Sequence, residues 1–65
     1  MNSERTVKTW QVAIIRAASK KLGRELTDRE RRFITARGSF LALEAISDTV
    51  NAESKEFVER YLNAE

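Results

Sequence analysis

Thr27-Asp28-Arg29-Glu30 is a capping box, and no other stretch of this 65-residue chain constrains its fold so tightly. In such a box the Thr hydroxyl accepts from the amide three residues on, and the Glu there reaches back to the amide of the cap. Two of the donors that a helix start leaves bare are satisfied together. A helix is therefore predicted to begin at Asp28. The hydrophobic staple that often accompanies the box is missing, because Leu26 would have to meet Arg31. Leu26 is expected to pack on the preceding helix instead.

That preceding helix is written in the spacing of Val7, Trp10, Ile14, Ala17, Ala18 and Leu22, which recur at three and four residues and share one face. Ser3 suits its cap, Glu4 its positive N-terminal end and Gly23 its stop, so a helix from Ser3 to Leu22 is predicted. Its other face is basic: Arg5, Lys8, Arg16 and Lys20, with Thr9 and Val12 among them. The short connection from Gly23 to Thr27 predicts that the first two helices are antiparallel neighbours.

Beyond Asp28 the apolar residues fall on two faces of one long helix reaching Val50. Phe33, Ala36, Phe40, Leu43 and Val50 lie on one side, and Ile34, Leu41 and Ala45 on the other, beside small residues at Thr35, Gly38, Ala42 and Thr49. A polar seam of Glu30, Arg37, Glu44 and Asp48 separates them. Small residues four apart let another helix approach closely. Ile34, Gly38, Leu41, Ala42, Ala45 and Thr49 are accordingly the expected self-association surface. The competing reading of Gly38 is a helix break at Gly38-Ser39.

Asn51 can cap a third helix from about Ala52 to Asn63, burying Phe57, Val58, Tyr61 and Leu62, with Lys55-Glu59 and Glu56-Arg60 as i,i+4 pairs outside. Alternatively the rhythm runs on unbroken to Tyr61 as a single helix of about 35 residues. In both versions one copy of the first helix leaves apolar surface uncovered. The expected architecture is all-α: one domain over residues 1–65, an antiparallel helical hairpin with a third C-terminal helix separate from or continuous with the second, paired as a homodimeric bundle.

Chemistry is bounded by what is missing. The chain has no Cys, His or Pro, so disulfides, Cys/His metal sites and imidazole or thiolate catalysis are excluded. Glu44 and Asp48 stand one turn apart, far short of the six to eight oxygens Ca²⁺ takes. No phosphate loop and no nucleophile beside a base is present. No enzyme activity, cofactor or metal is expected. No apolar run approaches the roughly 18 residues of a membrane span, and the N-terminal segment is too charged for a signal peptide, so a cytoplasmic protein is expected.

The net charge of +2 hides an asymmetry. Residues 1–37 carry ten Lys or Arg against four Asp or Glu, and residues 38–65 two against six. Such a split points to a polyanion partner or to electrostatic complementarity between copies. Arg16, Lys20, Lys21, Arg24, Arg29, Arg31 and Arg32 are the candidate nucleic-acid contacts, from the first helix and the turn after it. A helix-turn-helix reader is not among the options, because with Gly38 in the turn the required apolar places hold Ser39, Glu44 and Ser47. Trp10, Phe57 and Tyr61 are candidate anchors for a partner or a second copy.

The expectation is a small non-enzymatic regulator, of the kind phages, plasmids and bacteria use to inhibit or bridge larger machines, binding another protein as a homodimer. The competing expectation is a nucleic-acid-binding regulator that uses the basic face of the first helix and the turn.

Overall fold

The computed structural model describes residues 3–64, with side chains from residue 6 onward. Among the described residues the fold is all-helical: α1 (Ser3–Leu22), α2 (Asp28–Thr35), α3 (Phe40–Ala52) and α4 (Lys55–Leu62). The expected roles of Ser3, Glu4 and Arg5 fall outside the described side chains. No described helix is long and apolar enough to cross a membrane.

α1 ends where its glycine allows. Gly23 takes φ 74°, and the amides of Gly23 and Arg24 both donate to the Ser19 carbonyl, at 2.9 and 3.2 Å. A side chain at that φ would crowd its own backbone, so glycine is the natural residue there. The capping box then forms as predicted: the Glu30 amide donates to Thr27 Oγ1 at 3.2 Å, and the Thr27 amide to Glu30 Oε1 at 2.8 Å.

The long second helix does not form. The chain leaves helical geometry after Thr35 and re-enters it at Phe40, where the Ser39 hydroxyl accepts from the Ala42 amide at 3.2 Å. The break explains the two apolar faces. At about 100° per residue, Ile34 and Leu43 would lie on opposite sides of one unbroken helix. Interrupting the helix resets its phase, so Ile34, Leu43, Ile46 and Val50 all reach the same core. The chain thus covers Ile34, Leu43 and Val50 by folding back on itself, while Leu41 and Ala45 of the second face stay exposed. Gln11 of α1 holds the break, its Nε2 donating to the Arg37 carbonyl at 2.6 Å and to the Thr35 carbonyl at 3.3 Å. These bonds occupy carbonyls that the end of α2 would otherwise leave to water.

The second interruption is also displaced from its expected place. Asn51 lies inside α3, Glu53 is extended, and the Ser54 hydroxyl caps α4 by accepting from the Phe57 amide at 3.2 Å. The Asn51 cap and the single long helix are both overturned. The expected pairs Lys55-Glu59 and Glu56-Arg60 do not form either; Glu59 instead meets Arg24 at 3.4 Å.

α1 is the hub, packing on α2, α3 and α4, while α2 also touches α4. The core joins Ile14, Ala18 and Leu22 to Leu26, Ile34, Leu43, Ile46, Val50, Val58 and Leu62. Each large aliphatic side chain there contributes about 1.5–3 kcal/mol of transfer free energy. Leu26 is buried, as its missing staple led one to expect. Phe57, expected inside, is 42% exposed.

Candidate protein-binding surfaces

Behind the capping box lies a polar lock. Glu30 is only 1% exposed, yet its carboxylate is fully engaged. Arg24 donates to both oxygens at 2.9 Å, Thr27 donates its amide, and Asn63, past the end of α4, donates Nδ2 at 2.8 Å. The Arg24 hydrogen bonds are the largest influence on the Glu30 carboxyl and hold it down to about 2, against the opposing push of burial. The same pair raises the Arg24 pKa. Arg29 reaches the same region, its Nη2 donating to the Asn63 carbonyl at 3.2 Å.

This lock consumes part of the basic set picked from the sequence. Arg24 and Arg29 bind Glu30 and Asn63 as above. Lys21 donates to the Glu53 carbonyl at 2.8 Å, and Arg31 lies 3.8 Å from both Glu25 and Asp28. Arg16 and Lys20 stand exposed on α1, and Arg32 is exposed on α2. The seven residues therefore do not converge on one basic face. They split between α1, the turn and the open side of α2.

A different surface assembles where α2 meets α4. Phe57 and Tyr61, one turn apart on α4, stack with centroids 6.3 Å apart. Tyr61 meets Phe33 of α2 edge-on at 5.1 Å, and the Arg37 guanidinium lies 4.5 Å from the Phe33 ring centroid. Beside this row, Arg29, Arg32, Phe33, Leu62 and Ala64 line an open depression of about 430 Å³. The sequence pointed to Phe57 and Tyr61 but not to Phe33 and Arg37 as their continuation. The sequence placed Phe33 on an apolar face and Arg37 in the polar seam, and the α2–α4 contact that brings Phe33 to Tyr61 was not visible in it.

The residues expected to self-associate are scattered. Ile34 is fully buried in the chain's own core, which removes it from any surface. Gly38 lies in the loop between helices, so the close-packing strip it was to form with Ala42 does not exist. Ala42 and Thr49 are half-buried, and Thr49 donates its hydroxyl to the Ala45 carbonyl at 2.9 Å. Leu41 is 79% exposed, and Ala45 is exposed with it. Trp10, half-buried, packs against Phe40 with centroids 5.6 Å apart.

Among the described residues no three of Asp, Glu, His or Cys gather as a metal cluster. No family model, curated protein or solved structure matches the chain.

Proposed function

We propose that the chain is a small non-enzymatic regulator that acts by binding another protein through the Phe57–Tyr61–Phe33–Arg37 row. The ordered row is the observation that carries this reading. Tyr and Arg are the residues enriched at the energetic centres of protein interfaces, and here the rings are held by one another at 5.1 and 6.3 Å before any partner arrives. Side chains already fixed lose less freedom on association. The neighbouring Arg29 and Arg32 give the depression a positive rim, which favours an acidic partner segment with an apolar anchor.

The nucleic-acid reading has weaker support, because Lys21, Arg24, Arg29 and Arg31 already make contacts within the chain. A phosphate would have to compete with those contacts.

The test is affinity capture from cells that produce the chain, comparing wild type with Phe57→Ser and with Arg37→Ala. Phe57 is 42% exposed, so neither change empties the core. A protein retained by the wild type and lost with either variant supports the reading, at a cost of about 2 kcal/mol or more for a central anchor. Capture unaffected by both variants, or no capture at all, overturns it.

A further inference from the structure

α1 and α3 each present an outward stripe that no other part of the described chain covers. On α1 the stripe holds Lys8, Val12, Ala13, Arg16 and Lys20, and on α3 it holds Leu41, Glu44, Ala45, Asp48 and Ala52, all exposed. Each stripe lies opposite its helix's buried side, which is Ile14 and Ala18 on α1 and Leu43, Ile46 and Val50 on α3. The charges are opposite in sign. Among the described residues none of Lys8, Arg16, Lys20, Glu44 and Asp48 has an ion-pair partner.

The two stripes also match in pitch. Arg16 and Lys20 are one turn apart, about 6 Å along the axis, and so are Glu44 and Asp48. A turn before each pair stands an exposed apolar residue: Val12, 45% exposed, and Leu41, 79% exposed. Laid parallel, the stripes put Leu41 on Val12 and Ala13, Glu44 near Arg16 and Asp48 near Lys20.

We infer that the occupant of the acidic α3 stripe is the basic α1 stripe of a second copy of this chain. α1 and α3 pack against each other through their buried sides, so their outward stripes point to opposite sides of the layer they form. The two contacts cannot share one two-fold interface. Association is therefore head-to-tail, a heterologous contact that extends from copy to copy or closes into a ring. This surface is separate from the α2–α4 row and stands without the reading given to that row.

The experiment is sedimentation of the full chain at low and high salt, with two charge-reversed variants, Arg16→Glu/Lys20→Glu and Glu44→Lys/Asp48→Lys. All four positions are exposed, and retention of fold is read from helical circular dichroism. The wild type should exceed its monomer mass of 7.5 kDa at low salt, grow with concentration and fall back as salt screens the pairs. Each variant alone should bind itself at least tenfold more weakly. Their equimolar mixture should recover association that exceeds the monomer mass and grows with concentration, because each stripe of one variant then meets an oppositely charged stripe of the other. Leu41→Lys should weaken self-association without touching the four charges. A wild type that stays monomeric at millimolar concentration and low salt, a mixture that stays monomeric, or an oligomer indifferent to both reversals overturns the proposal.

Discussion

Glu30 sits beneath Arg24 with each carboxylate oxygen taking a 2.9 Å hydrogen bond from the guanidinium. The contact ties the turn after α1 to the first turn of α2, and Asn63 extends it to the end of α4. A single carboxylate thus links three parts of a fold that has no disulfide to hold it.

The lock makes stability depend on acid. The Glu30 carboxyl lies near 2 in the folded chain, below its ordinary 4.5, chiefly through the Arg24 hydrogen bonds. A lowered folded pKa adds stability that is fully present above pH 4.5 and is lost as the pH falls from there through 2. The loss is about 2 kcal/mol, after allowing for the solvent-exposed side of Arg24. Thermal melts between pH 6 and 2 should show it in the wild type, and Glu30→Gln should be less stable at pH 6 and flatter across that window. A Glu30→Gln profile as steep as that of the wild type would assign the acid sensitivity to other carboxylates.

Gln11 is the second polar residue the core depends on. Its amide serves the Thr35 and Arg37 carbonyls at the α2–α3 break, so Gln11→Leu leaves both without that partner. The expected cost is about 1 kcal/mol. Because the lost contact is local, hydrogen exchange should accelerate most at the last amides of α2, with α4 little changed. Uniform acceleration would mean that Gln11 acts on the whole fold.

How much of this was legible in the sequence depended on whether the signal was local. The start of α2 was, because both halves of the capping box lie within four residues, and so was the Gly23 stop. The break at Gly38 was not settled by pattern. Phe33, Ala36, Phe40 and Leu43 keep the three-four rhythm across it, and only a core that needs Ile34 and Leu43 together decides against continuity. The same holds for the aromatic row between α2 and α4. Phe57 and Tyr61 are neighbours on one helix, whereas Phe33 and Arg37 join them only through packing between α2 and α4. The partners inside the basic cluster were hidden for a related reason: a count of Arg residues cannot show that Glu30 and Asn63 lie within reach of Arg24 and Arg29.

Ile34 and Leu41, placed on one surface by the sequence pattern, should behave as opposites. Ile34 is fully buried and Leu41 79% exposed. Ile34→Ala should cost about 2–5 kcal/mol, while Leu41→Ala should change stability by less than about 0.5 kcal/mol. Urea unfolding at a protein concentration low enough to keep the chain monomeric separates the two. A large loss from Leu41→Ala there would place that residue in the core.

The two glycines make a sharper contrast, because only one is needed for its backbone. At Gly23, φ is 74°, and although an added Cβ would meet nothing within 4 Å, the left-handed conformation itself costs an L-residue about 1 kcal/mol. Gly38 has no positive φ, and its Cβ would also enter open space. Replacing it mainly removes freedom from the unfolded chain, which stabilises by about 0.4–1 kcal/mol. Gly23→Ala should therefore lower the melting temperature and Gly38→Ala raise it. The sign at Gly38 also bears on how helices meet. If Gly38 were a point of close helix approach, a methyl group there would disrupt packing and the melting temperature would fall. A rise fits a loop residue whose neighbourhood is solvent.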